Sequence, residues 1–116
     1  MNQTARFIVL WHPGALLERD AIKDDRERVA IGDVIEKLEQ IGRLPSPHSS
    51  AVQGKVGQGL RELRPRSGRS RWRPLYRQID ATTFVILAVG PEAQINRVGF
   101  DQAVSDAQQR FGELEL

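Results

Sequence analysis

Three short strand-like runs follow one another between residues 60 and 89 with only turn residues between them. That succession limits the chain to folds built around an antiparallel meander. The runs cover about 60 to 65, 71 to 79 and 83 to 89, divided by Arg66 to Ser70 around Ser67-Gly68 and by Asp80-Ala81-Thr82. Pro74 lies inside the second run and cannot donate to a ladder, so that strand is expected at an edge or bulged there. Upstream the period changes. Ile31, Val34, Ile35, Leu38 and Ile41 form one helical stripe closed by Gly42. A shorter helix is expected over Ala15 to Asp25, with the break between the two near Asp24 to Glu27, and a first strand over about 6 to 12 that stops at the turn signal His12-Pro13-Gly14. Phe100, Ala103, Val104, Ala107, Phe111 and Leu114 mark a C-terminal helix. The stretch from Arg43 to Gly59, with LPSPHSS and three glycines, reads as an exposed connection of a length that is often functional. The order β-α-α-β-β-β-α gives an α+β class: an antiparallel sheet with an N-terminal helical hairpin and a C-terminal helix.

Length and composition remove several alternatives. A chain of 116 residues has room for one domain, spanning 1–116, and the absence of cysteine rules out disulfides and thiolate zinc sites. With two histidines, His12 and His48, no histidine-rich metal cage is expected, and neither a metal nor another cofactor is called for. The longest apolar run, Phe84 to Val89, is far short of the roughly 20 residues that span a bilayer. The N-terminus shows no signal-peptide pattern, and a cytoplasmic location is expected.

The formal net charge of +2 conceals a local patch. Residues 61 to 77 hold seven arginines against Glu62, a net +6, whereas 78 to 116 carry net −4 and the first 60 residues balance to zero. Fourteen of the 17 basic residues are arginine, whose planar fork matches phosphate oxygens in pairs, so a polyanion is the first partner to consider. Strand alternation places Arg71, Arg73, Leu75 and Arg77 on one face and Trp72, Pro74 and Tyr76 on the other. On the preceding strand Leu60, Glu62 and Arg64 share a face opposite Arg61 and Leu63, so a hairpin would let arginines of both strands converge. Arginines interleaved with Trp72 and Tyr76 suit single-stranded RNA, in which guanidinium holds phosphate and rings stack on bases; core packing is the competing role for the two rings. Arg61, Arg66, Arg69, Trp72, Arg77 and Arg97 are the candidate RNA-binding residues.

The segment that reads Gly-Leu-Arg-Glu-Leu-Arg, then a short Gly-containing loop, then Arg-Trp-Arg-Pro-Leu-Tyr, resembles the RelE and HigB group of toxins, including phage-derived RelE-like proteins. That family typically shows Leu-Tyr-Glu-Leu-Arg followed by Arg-Tyr-Arg-Val-Leu-Tyr in two paired strands. Leu38-Glu39-Gln40-Ile41-Gly42 followed by Leu44-Pro45 resembles the family's leucine, glycine and proline hinge. The element order fits over nearly the whole chain, while the specific motif covers about 17 residues. The resemblance implies the toxin of a type II toxin-antitoxin system, a metal-independent messenger-RNA endonuclease that inhibits translation, acts free or on the ribosome, and is silenced by an antitoxin protein encoded nearby. In it a ribose 2′-hydroxyl attacks the adjacent phosphate while the protein supplies base, acid and cationic stabilisation.

Carried over by position, Arg73 matches the strand arginine that contacts the scissile phosphate, Arg64 matches the arginine of the Glu-Leu-Arg element, and Arg71 is a helper. Arg73 is thus expected to face phosphate and to contribute nothing to the core. The family's Phe-x-Lys-Lys-x-x-x-Lys-x-Pro segment is replaced here by Ala-Val-Gly-Pro-Glu-Ala-Gln-Ile-Asn-Arg, with Glu92 and Arg97 and no lysine. Candidates for the missing acid-base group are His48, expected to swing from a flexible loop, Tyr76 and Glu62; His12 is read as a strand-end cap. The alternative function is a non-catalytic module on the same fold that binds a protein target such as gyrase, or an inactive RNA binder.

Overall fold

At His12 the chain passes directly from strand into helix. Nδ1 of His12 accepts the Gly14 amide at 3.0 Å, and Pro13 takes the first helical position, where an N–H would have no partner in any case. His-Pro-Gly is therefore a helix start rather than a turn. In the computed structural model, which describes residues 6–114, the elements are β1 (Ile8–Trp11), α1 (Pro13–Asp20), α2 (Asp25–Ile41), β2 (Ser49–Ala51), β3 (Arg61–Leu63), β4 (Trp72–Asp80), β5 (Thr83–Pro91) and α3 (Arg97–Gly112). The outermost residues of the expected span 1–116 lie outside the described ones. Asp24 caps α2 by accepting the Arg26 amide at 2.9 Å, and Gly42 ends it at φ +87, a conformation that favours glycine.

The α+β class holds, with two differences in the sheet. Its order is β1-β5-β4-β3-β2, and β1 pairs with β5 in parallel, so the sheet is mixed and not wholly antiparallel. A local reading misses this because Val9 and Phe84, partners in register, are 75 residues apart. Second, β2 forms inside the expected loop, pairing Ser49 with Leu63 and Ala51 with Arg61. It has no β-branched residue, and its partner strand and a buried Ser49–Tyr76 hydroxyl bond of 2.8 Å hold it instead. Pro74 pairs with Val89 on one side, while β3 reaches only Leu75 and Tyr76 on the other. A register shift follows between those two residues, so the proline sits where no ladder bond is needed.

The two faces of the sheet bury separate cores. Ile31, Val34, Ile35 and Leu38 of α2 pack with Leu63, Tyr76, Phe84 and Ile86, with Trp72 half-buried against them. Ile41, expected in the same stripe, is 64% exposed. On the opposite face Phe100, Ala103, Val104 and Ala107 of α3 cover Leu75, Val85, Leu87 and Ala88. α3 approaches β5 so closely at Gly90 that a Cβ there would lie 2.4 Å from that of Ala103. Beyond Ile86, β5 has no strand on its β1 side. The Glu18 carboxylate takes that place, accepting the Val89 amide at 3.0 Å and both outer nitrogens of Arg110 at 3.0 and 2.9 Å. The Glu18 hydrogen bonds hold the Arg110 guanidinium above its ordinary range, and the pair ties α1 to α3.

Candidate functional site

Between β3 and β4 the chain makes a tight turn, Pro65–Gly68, in which Arg66 and Ser67 both take φ +56. Left-handed backbone costs a non-glycine residue about 1 to 2 kcal/mol, so the turn needs outside support. Arg73 supplies it from below. Its Nη1 donates to the carbonyls of Ser70 and Trp72 at 2.5 and 3.0 Å, and its Nη2 to that of Gly68 at 3.1 Å. Glu27, in the first turn of α2 and 8% exposed, accepts the Ser70 hydroxyl and pairs with Arg66 at 3.5 Å. The Ser70 hydroxyl oxygen in turn accepts the Trp72 amide at 3.1 Å.

Above this frame the turn and α2 enclose a cavity of about 130 Å³, lined chiefly by Lys37, His48, Arg64, Arg66 and Ser67, with Asp33 its one carboxylate. His48 is not on a free loop. Its carbonyl accepts the Arg64 amide at 2.8 Å and its amide donates to Pro45 at 3.0 Å, so β2 and β3 fix it beside Arg64. The Arg64 Nε is buried with no hydrogen-bond partner, and its guanidinium lies against Gly68, where a Cβ would come within 3.0 Å. Two guanidinia, an ammonium and an imidazole around so small a space can surround an anion the size of a phosphate and give it several charge-assisted bonds. The imidazole adds a group able to move a proton beside it.

Arg73 itself is 2% exposed. This corrects the expectation of a strand arginine held out of the core and open to phosphate: Arg73 is part of the interior. Its Nε also lacks a hydrogen-bond partner, since the Glu62 carboxylate stands 3.7 Å away. Burial draws the Arg73 guanidinium below its ordinary range, opposed by Glu62 and reinforced by the like charge of Arg64. Burial likewise pushes the Glu62 carboxyl above the usual carboxylate range, although Arg73, Arg64 and a 3.4 Å bond from Ser50 all pull it down. Both shifts have desolvation as the largest cause, so this pair is retained at some cost to stability.

The remaining candidates separate. Arg69 and Arg71 are exposed at the turn; Nε of Arg69 reaches the Arg66 carbonyl at 3.1 Å, and Arg71 makes no side-chain bond among the described residues. Tyr76 is 1% exposed and its hydroxyl is taken by Ser49 and, at 3.3 Å, by Arg61, so it neither stacks on a base nor faces the cavity. Trp72 is half-buried. Arg61 and Arg77 line a second, larger cleft, and Arg97 pairs with Asp101 at 3.2 Å at the start of α3 and does not line the His48 cavity. Lys37, Asp33 and Glu27 were not singled out in the sequence. Asp33 and Lys37, spaced i and i+4 beside the apolar stripe, look like an ordinary solvated helix pair, and only the turn brought against α2 by Glu27 makes them part of a site.

A family model described as "Phage derived protein Gp49-like (DUF891)" matches residues 22–91, a span from just after α1 through β5. No curated protein matches. Among solved structures, the YoeB/ParE toxin from Agrobacterium tumefaciens superposes with a TM-score of 0.58 at 13% identity, covering 74% of this chain and 99% of that one. A RelE toxin variant from E. coli in the free state gives 0.58 at 17% identity over 85% and 95%. The RelBE2 toxin-antitoxin complex from Mycobacterium tuberculosis gives 0.56 at 21% over 80% and 99%. At these identities the likeness is one of fold: this chain has the sheet and helix arrangement of the RelE and YoeB toxins.

Proposed function

Since the chain belongs to the phage-derived Gp49-like family, we propose that it is the toxin of a type II toxin-antitoxin pair, cutting messenger RNA at the cavity between α2 and the Pro65–Gly68 turn. The observation that carries this reading is the meeting of His48, Arg64 and Arg66 around one phosphate-sized space. A phosphodiester seated there meets two guanidinia as its charge rises. The His48 imidazole takes the proton of the neighbouring ribose 2′-hydroxyl, O2′ bonds to phosphorus, and the P–O5′ bond breaks, the leaving oxygen taking its proton from water. The products are a 2′,3′-cyclic phosphate and a 5′-hydroxyl. Arg73 acts as a positioning residue in this scheme, holding the turn on which Arg66 rides. Arg69 and Arg71, exposed at the turn, take flanking phosphates, and Lys37 adds charge from α2.

The toxin reading also draws on the fold it shares with a chain crystallised in a toxin-antitoxin complex. An antitoxin protein is the partner that fits it. The test is to induce the chain alone in a bacterial host and to follow growth and transcript ends together. Growth arrest with new 5′-hydroxyl ends, both lost in Arg64→Ala at matched protein level, is the expected result. Undisturbed growth and intact transcripts would refute the proposal.

A further inference from the structure

The β2–β3 ladder has a basic group at each end. At one end the Arg64 amide meets the His48 carbonyl beside the candidate cavity; at the other Ala51 pairs with Arg61 beside a larger cleft of about 680 Å³. Arg43, Lys55, Arg61 and Arg77 line this cleft, with no carboxylate among its lining residues, and none of the four lines the cavity. Elsewhere the arginines are neutralised: Arg19, Arg28, Arg97 and Arg110 each pair with a carboxylate. None of the four cations of the cleft has such a partner among the described residues. Like charges gathered in a concavity repel one another and focus a positive potential into it.

Two of the four are fixed and two are free. Arg61 donates from Nε to the Tyr76 hydroxyl at 3.3 Å and from Nη2 to the Leu44 carbonyl at 3.2 Å, which leaves Nη1 without an acceptor among the described residues. The Arg77 Cζ lies 4.0 Å from the Phe111 ring centroid, and only its Nη1 is engaged, by Gln108 at 3.3 Å and the Gln58 carbonyl at 3.5 Å. Gly59, at φ +87, leaves the space that this guanidinium fills, since a Cβ there would sit 2.6 Å from it. Arg43 and Lys55 are exposed and make no hydrogen bond among the described residues. Two held guanidinia with donors left over, flanked by two unpaired cations, fit an anion that offers many oxygens close together.

Charge density selects among the anions. RNA brings one charge per nucleotide, and its sites add rings on which bases stack, but the two aromatics lining this cleft, Tyr76 and Phe84, are each 1% exposed. Condensed phosphates instead bring several charges within reach of all four cations at once. We infer that the cleft binds a compact oligophosphate, a chain of three or more condensed phosphates carried by a nucleoside or standing alone. Its volume falls within the roughly 300–1,000 Å³ of small-molecule sites. The site goes beyond the nuclease proposal and is independent of it, because nothing in its recognition involves the His48 cavity. It also gives the net +6 segment two uses: Arg64 and Arg66 at one end of the ladder, Arg61 and Arg77 at the other.

The test titrates the full chain, at fixed ionic strength and without magnesium, with sodium tripolyphosphate, adenosine triphosphate and adenosine monophosphate, and reads binding by calorimetry. The first two are expected to bind saturably at one site per chain, and the monophosphate at least about tenfold more weakly. Affinity for the first two should fall about tenfold in the Arg43→Glu, Lys55→Glu double variant, as reversal of two exposed charges allows. It should be unchanged in Lys37→Glu, which reverses an exposed charge at the cavity instead. Tighter binding of the nucleotide than of tripolyphosphate identifies the nucleoside as part of the ligand, and equal or weaker binding identifies the phosphate chain alone; both uphold the site. No saturable binding of either, a monophosphate that binds as tightly, or affinity that ignores the double reversal would overturn the proposal. So would an equal loss in Lys37→Glu, or displacement by a 2′-O-methyl oligouridylate at the same phosphate concentration, the last in favour of an RNA track. None of these readouts depends on cleavage, so an inactive toxin and an absent site give distinguishable results.

Discussion

The Arg73 guanidinium donates to the carbonyl of Gly68 at 3.1 Å, binding the middle of the sheet to a turn five residues upstream whose backbone is left-handed at Arg66 and Ser67. An arginine that looks, in the sequence, like a phosphate ligand on a strand face is thus the support on which other arginines are displayed. Its charge sits beside Arg64 and is offset by Glu62 at 3.7 Å.

Arg73→Ala should therefore unfold easily. Loss of the side chain leaves the Ser70 and Gly68 carbonyls without their donors and Glu62 without its nearest buried cation. The expected loss of unfolding free energy is about 3 kcal/mol, measured by urea titration. Arg73→Lys keeps the charge but not the fork, and should fall between the two. A stable Ala variant with unchanged urea midpoint would mean that the guanidinium does not hold the turn.

The Glu62 carboxyl gives stability a definite pH dependence. Its folded-state range lies above that of an unfolded glutamate, so between the two the folded chain holds more protons, and stability falls as pH rises through that window. Glu62→Gln removes the titration. The stability of the native chain relative to this variant should decrease from acid toward neutral pH, and a difference that grows instead would contradict the burial argument.

The legibility of this chain follows the range of its interactions. Helix α2 and the α3 stripe are readable because Ile31, Val34 and Leu38, or Phe100, Ala103 and Ala107, repeat within one element. The face assignments of Arg71 to Arg77 are readable because pleating alternates locally. What escapes is whatever is settled across the fold. Ile8 to Trp11 carries no mark of pairing in parallel with Thr83 to Ile86, and Ser49 to Ala51 becomes a strand only because Leu63 and Tyr76 lie beside it. The site is half legible for the same reason. Arg64 and Arg66 belong to the visible cluster, whereas the position of His48 against them depends on β2, and the burial of Arg73 depends on a turn whose conformation its own guanidinium maintains.

A separate stability test concerns Glu18, which occupies the place of a missing strand at Val89. Glu18→Ala removes the acceptor of the Val89 amide and the bidentate partner of the partly buried Arg110. A destabilisation of about 2 kcal/mol is expected by thermal or urea unfolding, with the Arg64 cavity and any RNA cleavage per folded molecule unaffected. An equal loss in cleavage at full folding would show that α1 reaches the site.

His48→Ala should have the opposite profile. The side chain is half-buried and makes no side-chain hydrogen bond among the described residues, so unfolding free energy should change by less than about 1 kcal/mol. Cleavage should drop by roughly 10²- to 10⁴-fold, as removal of a proton-transfer group does. Full activity in this variant would remove the imidazole from the mechanism and leave an arginine-only site.

The proposed cleavage at the cavity of His48, Arg64 and Arg66 uses the RNA's own ribose hydroxyl. The direct measurement incubates the purified chain, with and without ribosomes, with an end-labelled messenger RNA and with the same RNA carrying a single 2′-deoxyribose at the mapped cut position. The expected products are fragments ending in a 2′,3′-cyclic phosphate with a free 5′-hydroxyl, with protection of the deoxy-substituted position alone. Fragments with a 5′-phosphate and 3′-hydroxyl, cutting at the deoxy position, or intact RNA under both conditions would contradict it.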